Sequence, residues 1–470
     1  MVLTQRGRKE NQVWNTRQTQ KWKDSSVVSR VIKQKNIDPL TFFSAANTIF
    51  AGERFFWTNP SMSMILVGLG KEIELEVDGD HSTHRFQEVE EDWSKIIKNI
   101  TGTSSNPYGT GPMLFGGFSF DPKRQKTDLW NDYPSSKFVL PTILLSIING
   151  ECYLTYNLLT DNIHNSEDEM SDLTIITDSL MENHEFSFDE SPIELVKSEV
   201  DPRRWMDSVD EVAYDIQKGL VEKVVLAREI RLSSNEEIQV EHVLARLKEE
   251  QPMSYIFAFE SGDACFIGAS PERLVKKTDD EIKSTCLAGS TARGKTIKED
   301  EKLGTILLND NKNLIEHNVV VSMIKEEMLD SCESITATEK PQLLKMRDIQ
   351  HLYTPIKGKA KEGVTLFSMV KKLHPTPALG GFPKDRALEK IREVELLDRG
   401  WYASPIGWID AKDNGEFAVA IRSGLIKGNE VSLFAGCGIV GDSNSLSEYK
   451  ETNIKFKPML SALGGTGNDE

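Results

Sequence analysis

No stretch of this 470-residue chain approaches the ~18 consecutive apolar residues of a membrane-spanning helix. The nearest run, Phe138 to Ile148, is interrupted by Pro141 and reads as a buried strand. Cysteine is scarce. Cys152, Cys265, Cys286, Cys332 and Cys437 lie far apart, form no CxxC pair and are odd in number, which argues against a disulfide framework. Positive charge is in deficit, with 56 Lys and Arg against 73 Asp and Glu and a net charge of −17. Nucleic acid and anionic membranes both require a positive face and are disfavoured as partners. A small anionic substrate remains open, because it needs positive charge only locally. The polar N-terminus (Arg6, Arg8, Lys9, Glu10) shows no apolar core of a secretory signal, so a cytoplasmic, water-soluble protein is expected. HExxH, GxSxG, the phosphate-binding GxxxxGK[ST] and a helix-opening GxGxxG are all absent.

What is present is an ordinary globular balance: 39% apolar, 8% aromatic and 27% charged residues. Length alone suggests about three domains, although large α/β enzymes often build one continuous core at this size. Residues 1–25 form a polar N-terminal segment and 464–470 a tail. Residues 26–200 make a first part, in which Met62 to Val67, Met113 to Phe120 and Val139 to Ile148 suggest sheet. Within it, the acidic stretch 161–200 reads as an irregular surface excursion. Residues 201–463 alternate helices and strands. Ser208 with Glu211 predicts a capping box and helix, followed by a period-two strand that places Lys223, Val225 and Ala227 on one face. Tyr255–Glu260 and Ala264–Ala269 predict a hairpin, residues 310–329 a helix, and Ser445 with Glu448 a capped C-terminal helix to about Lys457 that Pro458 should end or kink.

Several segments could carry chemistry. Asn313, Glu316, His317 and Val320 share one helix face, and Glu448, Glu451 and Lys455 share another. Carboxylates on two helices suit a hard cation such as Mg²⁺, although helical glutamates more often form a solvated face. Leu287 to Gly294 reads as a small-residue loop with amides free for an anion, or as an ordinary turn. Gly436 to Gly441 reads as a glycine-rich turn leading into the last helix, able to receive a carboxylate. His374-Pro-Thr-Pro-Ala378 breaks the chain before an amphipathic helix. His81 and His84 read as a polar surface turn rather than a metal site.

Taken in order, Lys223-Val-Val-Leu-Ala-Arg228, Gly268-Ala-Ser-Pro-Glu272, Leu287-Ala-Gly-Ser290, Glu316-His317, His374 to Ala378, Tyr402, Ala420-Ile-Arg422, Gly436 to Val440 and Glu448-Tyr-Lys-Glu451-Thr452 resemble the chorismate-utilising enzymes. That group contains the anthranilate, aminodeoxychorismate, salicylate and isochorismate synthases. The motifs cover residues 200–460, with Gly116-Gly-Phe-Ser-Phe120 as the anchor in the first part. Within the group, the chain is most similar to the isochorismate synthases of the menaquinone pathway. The resemblance implies an α+β fold: one large two-lobed unit with central stacked β-sheets and helices outside, as in anthranilate synthase component I. It implies water addition at C2 of chorismate with loss of the C4 hydroxyl. Lys223 matches the base, which must be neutral to act and so needs a lowered pKa; Glu272 matches the acid, which needs a raised one. Glu316 and Glu451, with Glu448 close by, match the Mg²⁺ ligands. Tyr402 and Arg422 match the holders of the enolpyruvyl carboxylate, and Gly289, Ser290, Gly436, Lys455, Ala378 and His351 match further pocket positions.

The resemblance also separates the branches. Amidating relatives lack a lysine where Lys223 stands, so water is the implied nucleophile. Ala288 stands where one branch has a nucleophilic lysine, and Ala378 where amidating relatives have Thr. The rival readings are a salicylate synthase, which also eliminates pyruvate, and a catalytically silent chorismate-binding subunit. Asn313 replaces an Asp common among relatives, removing one carboxylate near the metal set. Chorismate is the expected partner and a monomer the expected form, with no nucleic acid or membrane.

Overall fold

The structure is a computed structural model that describes residues 21–23, 25–102, 106–161, 166–182, 186 and 194–465. The predicted N-terminal segment and tail lie largely outside these residues. Among the described residues, the strands form a 13-stranded and a 10-stranded sheet with helices around them. Strands from the first part of the chain and from residues 201–463 share both sheets. In the larger sheet, Arg54–Thr58 pairs with Tyr255–Ser261; in the smaller, Met113–Phe118 pairs with Pro405–Asp410.

Central strands of the larger sheet are apolar on both faces, and the reason is visible in their alternation. Phe55, Trp57 and Leu66 point into the large cluster shared with Phe115, Phe118 and Phe138 of the smaller sheet. Phe56, Val67 and Leu69 point the other way, into a second cluster covered by helices that include Val240–Glu250. A strand buried on both faces therefore reads as a continuous apolar run instead of an alternating one. The predicted hairpin is present, with Ser261 paired to Ala264 across Gly262 and Asp263.

Six elements carry the site. They are β1 (Lys223–Ser234), β2 (Glu281–Ala292), α1 (Asn311–Leu329), β3 (Ile349–Ala360), β4 (Glu430–Ile439) and α2 (Ser445–Ala462). β1 and β4 are antiparallel neighbours in the larger sheet, and β2 and β3 in the smaller.

Several local expectations are corrected. Phe138–Ile148 is two strands, not one: Pro141 offers no N–H to the ladder, so Ser136–Leu140 ends in the smaller sheet and Ile143–Ile148 starts in the larger. The acidic stretch contains a helix, Ser166–Glu182, that buries Met170, Leu173, Thr177 and Leu180 and leaves its acids outside. Ser208 is not a cap. Asp201, accepting from the Arg204 amide at 3.3 Å, starts that helix at Pro202, and Ser208 hydrogen-bonds inward to the Val394 carbonyl. Asn444, not Ser445, caps α2. α2 continues through Pro458 to Ala462, with Phe456, Met459 and Ala462 buried in the second cluster.

Candidate functional site

The site forms where the chain passes from one sheet to the other. Pro271 and Glu272 link Ala264–Ser270 of the larger sheet to Arg273–Thr278 of the smaller; Ala420 to Arg422 make the return crossing. The two crossings are tied by the Val419 amide donating to the Glu272 carbonyl and the Ala269 amide donating to the Arg422 carbonyl, both at 3.0 Å. Arg422 takes a positive φ of 50° in its crossing. Strained backbone of this kind persists only where the surroundings over-determine it.

A cavity of about 130 Å³ lies between these crossings, β1, β2, β4 and the two helices. Lys223, Glu272, Gly289, Ser290, Glu316, His351, Ala378, Tyr402, Arg422, Gly436, Glu451 and Lys455 all line it, although up to 232 positions separate them in sequence. Glu448 is the exception. It does not line the cavity but sits beside Ser443 and Cys437, with its carboxyl raised by burial and by Glu451. A larger hollow of about 790 Å³ lies farther along the same face of β1, past Ala227, and contains none of these groups except through that shared wall.

Local structure explains each placement. The period-two strand aims Lys223, Val225 and Ala227 into the cavity, as its sequence predicts. Most of the segment read as a small-residue loop, Leu287 to Ala292, is instead part of β2 and pairs with β3 on either side of Ala288 and Gly289. Leu287 pairs with Tyr353 and Ser290 with His351, so a one-residue bulge falls at Ala288–Gly289. Gly289 has φ of 81°, and a Cβ there would sit 3.0 Å from the Asn313 Oδ1. His317, fully buried, donates from Nδ1 to the Ala288 carbonyl at 3.0 Å and so pins the bulge from α1. The segment Gly436 to Ile439 is likewise strand, not turn: Gly436 pairs with Ala227 and Gly438 with Val225. Gly438 was not singled out by sequence, yet a Cβ there would lie 2.7 Å from Lys223 Cε, so its lack of a side chain makes room for the lysine. The signal was its place in the Gly436-Cys-Gly motif.

The electrostatics are specific. Lys223 Nζ donates to Glu316 Oε1 at 2.5 Å, and Lys455 Nζ to Glu451 Oε1 at 2.8 Å and to the Gly436 carbonyl at 2.9 Å. Burial works against the Lys455 ammonium, but Glu451 and Cys437 together hold its pKa above the ordinary value. Burial pushes the Glu272 carboxyl up to about 8, against the lowering pull of Lys455, Arg422 and Lys223. Arg422 Nη2 donates to His351 Nε2 at 2.7 Å. A guanidinium cannot accept, so Nε2 is the acceptor and the ring proton is on Nδ1. Burial, Arg422 and Lys455 hold His351 well below its ordinary pKa, consistent with that neutral form. Burial also raises the Tyr402 phenol, whose ring lies 5.4 Å from Phe434. The lining carries Lys223, Arg399, Arg422 and Lys455 against Glu316, Glu451 and the protonated Glu272, a local excess of basic side chains in an acidic protein.

Among the described residues no group of three or more His, Cys, Asp or Glu gathers around one point. Glu316 and Glu451 are a pair of carboxylates on one cavity, each partly exposed and each satisfied by a lysine. Such an oxygen set fits Mg²⁺, which binds one or two protein carboxylates and keeps its other positions for water or substrate oxygen. His81 is exposed and bonded to Glu88, as a surface turn should be.

Comparison with known proteins agrees in extent. The family described as chorismate binding enzyme matches residues 12–464. Isochorismate synthase MenF of Bacillus subtilis is 42% identical over 435 residues, 92% of each chain. The salicylate biosynthesis isochorismate synthase of Pseudomonas aeruginosa is 33% identical over 438 residues, 91% of this chain and 89% of that one. The solved structure of MenF, the menaquinone-specific isochorismate synthase of Escherichia coli, superposes with a TM-score of 0.76 at 24% identity, covering 93% of this chain and 95% of that one. Anthranilate synthase component I of Streptococcus pneumoniae shares the fold, with a TM-score of 0.65.

Proposed function

Since the chain belongs to the family of chorismate-binding enzymes, we propose that it is an isochorismate synthase serving menaquinone biosynthesis. The observation that carries the reading is one cavity lined by both Lys223 and a Glu272 whose carboxyl keeps its proton to about pH 8. Conversion of chorismate to isochorismate adds water at C2, shifts the ring double bonds and expels the C4 hydroxyl. One water enters and one leaves, so the reaction is an isomerisation without net redox change. Lys223, in its neutral amine form, takes the proton from the attacking water. Glu272, neutral at working pH, gives its proton to the departing hydroxyl.

The substrate is a dianion. Arg422, held by His351, and the Tyr402 hydroxyl receive the enolpyruvyl carboxylate, for which a planar guanidinium fork is suited. Lys455, with the backbone at Gly289, Ser290 and Gly436, completes the pocket for the ring end. Ala378 keeps the opposite wall small. Glu316 and Glu451 would hold Mg²⁺, with Glu448 one turn away as an outer carboxylate. When bound, the ion supplies positive charge that orients the ring carboxylate and screens it from the acids. Asn313, one turn before Glu316, is engaged with Asp310, donating from Nδ2 at 2.9 Å. All five cysteines are free and buried, which fits a reducing, cytoplasmic setting.

The test is purified protein with chorismate and Mg²⁺, products separated by chromatography. Isochorismate without pyruvate is expected. Salicylate plus pyruvate would move the enzyme to the lyase branch, and a product formed only with ammonia would overturn the assignment.

A further inference from the structure

One cation of the cavity has no part in the scheme above. Arg399 is 3% exposed and lines the cavity wall. Its Nε donates to Glu395 Oε1 at 2.7 Å, and its Nη2 to Glu395 Oε2 at 2.8 Å and to the Val225 carbonyl at 2.7 Å. Its Nη1 donates to the Leu379 carbonyl at 3.0 Å, and the guanidinium lies 4.2 Å over the Phe120 ring. Glu395, 5% exposed, also accepts from the Ala227 amide at 2.8 Å. The Arg399 carbonyl accepts from the Tyr402 amide at 2.8 Å.

These bonds join three pieces of the site. Val225 and Ala227 flank the inward face of β1 that carries Lys223; Leu379 follows Ala378; Tyr402 follows on the same turn as Arg399. The pair also stands between two hollows, because Glu395 and Ala227 line the 790 Å³ groove while Arg399 and Ala227 line the catalytic cavity. A buried ion pair is weak evidence for stability, since desolvation offsets much of its attraction. A planar fork meeting acceptors on three separate segments is, by contrast, a geometric device that lysine cannot reproduce.

We propose that Glu395 and Arg399 are a positioning pair for isochorismate formation. The pair fixes the Lys223 strand, the Ala378–Leu379 wall and Tyr402 relative to one another, and it closes the cavity toward the groove. This rests on the function proposed above. Four of the five Arg399 N–H groups are engaged by the protein, which gives it a role in holding the site rather than the substrate. Its loss should therefore spare ground-state binding by Arg422 and Lys455 and harm the alignment needed for reaction.

The test compares Arg399→Lys and Glu395→Gln with wild type, at equal folded fraction set by thermal melts. The expected result is a kcat lower by about ten- to a hundredfold with KM for chorismate within about threefold, and a larger share of turnovers releasing pyruvate. Arg399→Ala should regain kcat with added guanidinium ion and not with ethylammonium, because only the planar fork spans the acceptors. Wild-type kcat and product ratio in both variants would overturn the proposal. So would a loss that merely follows the unfolded fraction. Wild-type protein that forms no isochorismate would instead overturn the function itself.

Discussion

Lys223 and Glu272 face one cavity, yet each depends on a different surrounding to do its work. Lys223 lies against Glu316 and must lose its own extra proton before it can act as a base; Glu272 is buried among cations that fail to ionise it. Lys223→Ala should lower kcat by about 10²–10⁴-fold while Mg²⁺-dependent chorismate binding, followed by calorimetry, persists; unchanged turnover would remove it from the base role. For Glu272, the folded state keeps a proton from about pH 4.5 to about 8 that the unfolded chain has lost. Its contribution to stability therefore declines as pH rises across that window and levels off above it. Glu272→Gln should abolish that decline in urea titrations of the metal-free protein. It should also remove the fall in kcat as pH passes about 8, at a cost of about 10²–10⁴ in rate. A wild-type rate flat through pH 8 would contradict the acid assignment.

At the scale of elements, the bulge in β2 is the feature on which the substrate end of the cavity depends. It turns Gly289 into the left-handed region and hands Ser290 to the register of His351. Gly289→Ala would combine an unfavourable φ with a contact at 3.0 Å to Asn313. A destabilisation of about 1–3 kcal/mol is expected in denaturant titration, with a raised KM for chorismate. α1 was read with its Asp310 start, because helical spacing and a capping side chain are local signals. Leu287–Ala292 and Gly436–Ile439 were read as loop and turn, because small residues and glycine mark turns unless a neighbouring strand supplies the missing pairs. β3 and β1 supply them here.

For the whole molecule, the pairing of Arg54–Thr58 with Tyr255–Ser261 and of Met113–Phe118 with Pro405–Asp410 makes the first part of the chain a structural share of both sheets. Arg54 shows the coupling: it is 3% exposed and bridges Glu260 and Glu241 from residues 201–463 while also donating to the Phe43 carbonyl at 3.0 Å. Arg54→Ala would leave two buried carboxylates unpaired and should cost about 3–5 kcal/mol. Scanning calorimetry should show one transition at a lower temperature; two separated transitions would mean the halves unfold independently. The net charge of −17 takes on meaning at this scale. Arg422 and Lys455 give one cavity the local positive charge that the proposed dianionic substrate needs, against the acidic balance of the whole chain.

By itself the sequence determined the family and the helices that carry Glu316 and Glu451, and it nominated the candidate reacting groups, because motif order and 3.6-residue spacing are written along the chain. Only the tertiary structure decided which of those groups meet. It excluded Glu448 from the cavity wall, converted two apparent loops into paired strands, and brought Glu395 and Arg399 between Lys223 and Tyr402. Strand pairing and burial are contacts between residues distant in sequence, and no local pattern records them.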